Sequence, residues 1–211
     1  MKFFELMQGW ADSACAEWGY PSITADQLAG VPERLPLGLQ ALIEKGHDDG
    51  AIKTVGLRFT LAGLPDGIGP YAWLSKDPRH VPAVNWEYLV QAAEYVRVHG
   101  QSAPLGFKVL AEDRLMDITV ERDGTMLWYI EVKEKAADLP LLAERIAAYG
   151  AAGVDLEVAD RGNDPLQKAR YLVRYRPRYF SLTAIGMRLD YRSEYVSQTT
   201  FRLIPDMVPL P

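Results

Sequence analysis

Asp117, Glu131 and Lys133 are the residues whose types and spacing could do chemistry in this chain. They lie in the stretch 116–133, which reads as two alternating strands joined by Asp123-Gly124, a strong hairpin signal. With a loop of Asp123, Gly124 and Thr125, Arg122 faces Met126, and counting outward sets Asp117 opposite Glu131. Side chains alternate along a strand, so Lys133 shares the face of Glu131. The opposite face carries Ile118, Val120, Trp128, Ile130 and Val132 and reads as core. Carboxylates opposed across a strand pair repel each other. A divalent cation between them would remove that cost, and hard cations prefer oxygen ligands. On a solvated face the same residues would be an exposed ion pair of roughly 0–1 kcal/mol.

Asp117, followed after thirteen residues by Glu131-Val132-Lys133 closing an apolar strand, resembles the PD-(D/E)XK nuclease superfamily. Met116 stands where the family name implies Pro. The resemblance implies Mg²⁺ (or Mn²⁺) held by Asp117 and Glu131, with Lys133 positioning or activating the attacking water. The implied reaction is metal-assisted hydrolysis of a DNA phosphodiester. Many such nucleases add a glutamate from the helix before the first strand. Glu87, nearer the helix start, is the first choice here, and Glu94 lies a heptad further on the same face. Gln167-Lys168-Ala169-Arg170-Tyr171 resembles the QxxxY motif of some exonucleases in the superfamily. There the motif follows the ExK strand directly, whereas here a helix and a strand are expected between them.

The surrounding elements give an order. Residues 2–18 place Phe3, Leu6, Met7, Trp10, Ala14 and Trp18 at helical steps. Thr24 caps a short helix through Leu28, and a third helix runs from Leu35 to Lys45 with Gly46 as its stop. Strands at 51–54 and 57–61 follow. Helices and then a hairpin resemble a winged-helix module, although its third helix offers only Gln40 and Lys45 to a DNA groove. Residues 62–83 are rich in Gly, Pro and Asp and contain turn chemistry.

Asn85 caps a helix to about His99. Then come a strand at 106–112, the hairpin, a helix capped by Asp138 and stopped by Gly150, and a strand at 154–158. This αβββαβ order matches the restriction-endonuclease-like core. Asp164-Pro165 opens a further helix that ends before Pro177, with strands at 178–185 and 187–196 and a Pro-rich tail from Ile204. The expected fold is α/β (α+β): a mixed sheet flanked by helices, beside a small helical, winged-helix-like domain. The domains are read as 1–65 and 84–211, with 66–83 as linker.

Net charge is −5, which argues against a generally basic nucleic-acid binder, but it is unevenly spread. Residues 81–160 carry seven basic and fourteen acidic side chains, and residues 161–211 carry nine basic and four acidic. Lys168, Arg170, Arg174, Arg176 and Arg178 therefore form the expected DNA-backbone surface. The interleaved Tyr171, Tyr175, Tyr179 and Phe180 are either base-stacking faces or a packed aromatic core. The lone Cys15 fits a reducing cytoplasm, and no apolar run reaches membrane-spanning length. Homo-oligomerisation stays open. Two other readings stand beside the nuclease: a silent nuclease-fold interaction module and a winged-helix regulator. The stretch 138–149 leading into Gly150-Ala151-Ala152-Gly153-Val154 also resembles Uma2-like proteins, a nuclease-fold group, while the retained Lys133 weighs towards catalysis.

Overall fold

Phe3, Leu6, Met7, Trp10, Ala11, Ala14 and Cys15 turn one stripe inward and make helix α1 (Phe3–Trp18), closed by Gly19 at φ 69°. In the computed structural model, residues 2–31, 36–66, 69–157, 162 and 164–206 are described. Leu35, Val158 and the tail 207–211, which entered the sequence reading, lie outside that set. The chain divides into two compact units, Met1–Gly100 and Gln101–Pro211.

The first unit continues with a 3-10 turn at Ala25–Gln27, where Gln27 accepts the Thr24 N–H at 2.9 Å. A single turn thus stands where a short helix was expected. Helix α2 (Leu37–Asp48) leads into β1 (Ile52–Val55) and β2 (Arg58–Leu61). Gly46, expected to stop α2, lies inside it. A Cβ there would come within 2.5 Å of Val96 and 2.6 Å of Ile52, so glycine permits close packing. Strand β3 (Tyr71–Ala72) joins β2, and β4 (Leu74–Ser75) pairs with β5 (Ala83–Val84). The stretch 66–83, read as a linker, therefore carries short strands. The cause is Trp73, fully buried and stacked between Trp10 at 4.4 Å and Phe59 at 3.8 Å. Helix α3 (Trp86–Ser102) follows, and through Gly100 it belongs to this unit.

The second unit is a six-stranded mixed sheet. Its strands are β6 (Lys108–Asp113), β7 (Met116–Arg122), β8 (Thr125–Val132), β9 (Tyr179–Ala184), β10 (Met187–Tyr195) and β11 (Phe201–Pro205). They lie in the order β11-β10-β9-β8-β7-β6. Strand β9 runs parallel to β8, and every other neighbouring pair is antiparallel. Helices α4 (Leu139–Ala152) and α5 (Asp164–Tyr175) connect β8 to β9. Leu142, Ile146 and Leu172 pack in one core with Tyr129, Phe180 and Leu182.

Four expectations change here. Residues 154–157 form no strand, because β9 takes the second edge of β8; the Val154 N–H instead bonds the Thr199 carbonyl at 2.8 Å. Gly150 does not stop α4 but lies within it, where a Cβ would meet the Phe201 ring at 2.7 Å. Asp138 occupies the N-cap of α4 without a capping bond from its side chain. Strand β11, which includes Ile204 of the expected tail, completes the sheet edge.

Candidate active site

Asp123 and Gly124 both have positive φ, 52° and 76°, the twist of a two-residue type I′ turn. Arg122 consequently faces Thr125, not Met126. A bulge follows: Glu121 pairs with Met126, but Val120 pairs with Trp128, leaving Leu127 as the extra residue. The bulge restores the register reached by counting from a longer loop. Ile118 faces Ile130, so the next position sets Asp117 opposite Glu131. The Asp117 side chain closes the end of the ladder, accepting the Val132 N–H at 2.6 Å.

The face carrying Asp117 and Glu131 is not a solvated one. Thr119, Tyr129 and Glu131 are as fully buried as Ile118 and Ile130 on the other side. A buried carboxylate must be paired and hydrogen-bonded, and Glu131 is. Lys133 Nζ lies 2.7 Å and Lys168 Nζ 2.9 Å from Glu131 Oε1. The Tyr129 hydroxyl, two residues back on the same strand face, donates to Oε2. Asp164, in the first turn of α5, joins both ammonium groups, 3.4 Å from Lys133 and 3.6 Å from Lys168. Lys168 sits one helical turn after Asp164 and so points to the same place.

Burial and the neighbouring Glu131 charge push the Asp117 carboxyl well above its ordinary value, against the opposing pull of Lys168 and the Val132 N–H. Burial, with Glu131 and Asp117 nearby, likewise raises the Tyr129 phenol. For Lys133 and Lys168 burial acts downward, but the facing carboxylates outweigh it and both ammonium groups end above their ordinary value.

The other expected residues are dispersed. Glu87 and Glu94 lie on α3 in the first unit, Glu87 exposed and Glu94 buried against Arg97 at 2.6 Å. Of the basic run, Lys168 is turned inward onto Glu131 and does not face solvent. Arg170 donates to the Asp155 carbonyl at 3.0 Å. Arg176 donates to the Ser197 carbonyl at 3.0 Å and covers the Tyr195 ring. Arg174 and Arg178 are exposed. Tyr171 and Phe180 are buried and are core, not stacking surfaces. Tyr171 nevertheless borders the acids, its ring 5.6 Å from Lys168 Nζ and 6.3 Å from the Tyr129 ring; Gln167 is half-buried. Sequence reasoning missed Asp164 and Tyr129 as site residues and read Lys168 as a backbone contact. The i, i+2 spacing of Tyr129 and Glu131 was the available signal for the tyrosine.

A cleft of about 370 Å³ opens beside Lys133 and Asp164, walled by Leu141, Leu142 and Arg145 of α4 and by Pro165. Among the described residues no group of three or more His, Cys, Asp or Glu side chains is disposed around a common metal position. Mg²⁺ typically takes one or two carboxylates and keeps waters or substrate phosphate for the rest. Asp117 and Glu131 are the two carboxylates here that could hold such an ion: burial first, and then the neighbouring Glu131, raise the Asp117 carboxyl. No protein-family model, curated protein or solved structure matches the chain.

Proposed function

We propose that the second unit is a Mg²⁺-dependent phosphodiesterase acting on DNA, with a restriction-endonuclease-like core. One observation carries this reading: Asp117 and Glu131 face each other on adjacent strands with Lys133 Nζ 2.7 Å from Glu131, beside an open cleft. The order β6, β7, β8, helices, then a parallel β9 supports the fold assignment. Asp117 and Glu131 would hold the metal ion, which when bound supplies an activated water and offsets charge on the phosphoryl oxygens. Lys133, one-fifth exposed at the cleft, keeps its proton at Nζ and would orient the water while facing charge developing at phosphorus. Tyr129 fixes the Glu131 carboxylate by its hydroxyl. Arg174 and Arg178, exposed, would meet the DNA backbone without reading its sequence. The first unit would dock DNA or protein as a winged-helix-like module.

The test is cleavage of single-stranded, double-stranded and branched DNA with Mg²⁺ or Mn²⁺. Wild type should cut. Lys133→Met should lose turnover with DNA affinity nearly kept, because an interaction made in the transition state is removed. Wild-type turnover in Lys133→Met would refute the assignment. A second reading, a silent interaction scaffold, is favoured by the complete burial of Glu131 beneath two lysines and a tyrosine. Failure of wild type to cut any of the three substrates would establish it over the first.

A further inference from the structure

We propose that Lys168 is a built-in cation that occupies Glu131 until a divalent metal ion arrives, and that Asp164 is the acceptor to which its ammonium then moves. This rests on the metal-dependent reading above. Lys168 is a positioning residue in this scheme, acting on the site through Glu131.

The geometry is that of one ammonium between two carboxylates. Lys168 Nζ is 2.9 Å from Glu131 Oε1 and 3.6 Å from Asp164 Oδ1. Lys133 also holds Oε1, at 2.7 Å. A divalent ion on Glu131 and two ammonium groups on the same oxygen cannot coexist without strong repulsion. Lys133 directly follows β8 and lines the cleft, where the proposed chemistry needs it. Asp164 is within reach of both ammonium groups, 3.4 Å from Lys133 and 3.6 Å from Lys168, so Lys168 is the cation that leaves because it is not the one lining the cleft. Asp164 is 40% exposed while Glu131 has no exposure, so the shift carries charge towards solvent. Four rotatable side-chain bonds let the ammonium swing by this short distance.

The experiment is calorimetric titration of the full chain with MgCl₂, paired with MnCl₂ titration read by the paramagnetic resonance of free Mn²⁺. Lys168→Met and Lys168→Gln should bind either ion about tenfold more tightly than wild type, and Asp164→Asn about tenfold more weakly. In the double variant Asp164→Asn/Lys168→Met the Asp164 effect should shrink below about twofold, since Lys133 keeps its place on Glu131 in this scheme and the ammonium that would move is gone. Independent charge effects would instead add, and additivity overturns the proposal. Unchanged or weaker binding in both Lys168 variants, or no binding in any of the proteins, also overturns it. Should Lys168→Met fail to fold by circular dichroism, Lys168→Gln and the half-exposed Asp164→Asn carry the comparison. DNA cleavage is scored separately. Tighter binding in the Lys168 variants with no cleavage by wild type supports the exchange and removes the phosphodiesterase reading. Cleavage by wild type without that tightening keeps the reading and removes the exchange.

Discussion

Lys168→Met is expected to destabilise the second unit by about 2–3 kcal/mol. Removing one partner of a buried ion pair commonly costs about 3–5 kcal/mol, because the other charge is left buried and uncompensated. Glu131 would be compensated in part: Lys133 remains 2.7 Å from Oε1 and the Tyr129 hydroxyl remains on Oε2. That lowers the expectation to about 2–3 kcal/mol, roughly 5–10 °C in Tm for a chain of this size. Urea unfolding followed by near-ultraviolet circular dichroism at pH 8 measures it. The double variant Glu131→Gln/Lys168→Met removes both charges, so its cost should fall short of the sum of the singles by at least about 1 kcal/mol. The Lys168→Met deficit should also shrink on lowering the pH towards 4. Without the ammonium, whose charge pulls the Asp117 carboxyl down, Asp117 takes up a proton more readily, which relieves its repulsion with Glu131. A loss below about 0.5 kcal/mol, or additive singles, would place Lys168 with ordinary surface residues and refute the reasoning.

Asp117 gives a second pH dependence. Its folded value is raised above the ordinary 3.8, so between these values the folded state binds the extra proton. Stability from this group is present at low pH and falls as pH rises from about 4 through the raised value; Asp117→Asn should flatten that decline, and an unchanged slope by urea titration across pH would exclude it. Replacing Arg174 and Arg178 by Ala should weaken DNA binding and reduce the log–log salt slope by about 1.8 for two lost phosphate contacts; an unaltered slope would put the DNA surface elsewhere. Gly150→Ala should cost about 1–2 kcal/mol in thermal unfolding despite alanine's better helix propensity, because its Cβ would press the Phe201 ring at 2.7 Å; a stabilised variant would contradict the close packing.

Local chemistry made the hairpin legible, and with it the acid pair. Asp123-Gly124 fixed the turn, alternation separated Asp117 from Ile118, and the motif residues fall within one strand pair and the residue that follows it. Even there the loop was misread, and the pairing of Asp117 with Glu131 came out right because a bulge at Leu127 returns the residue that the shorter turn removes. Glycines misled for a common reason. Gly46 and Gly150 carry the composition of helix stops, but each lies where another residue crosses too close for a Cβ, a tertiary fact. The alternation of 154–158 read as a strand because nothing local shows that β9 already fills the edge beside β8. Arginines likewise looked like one cationic surface, yet Arg170 and Arg176 spend their donors on backbone carbonyls brought near by folding.

Lys168 and Asp164 were illegible as site residues because α5 reaches Glu131 only through the parallel placement of β9 against β8. Their arrangement also bears on whether the cluster serves the fold or a reaction. Apolar residues of similar volume commonly replace a buried ion pair at no loss of stability, or at a gain. The surrounding core of Leu142, Ile146, Leu172 and Phe180 shows that this layer accommodates such packing. The cluster is sealed at Glu131 but opens through Lys133 and Asp164 onto the cleft at α4. Charge graded from full burial at Glu131 to a partly exposed rim at Lys133 and Asp164 fits the proposed reading, in which the cluster meets a charged ligand.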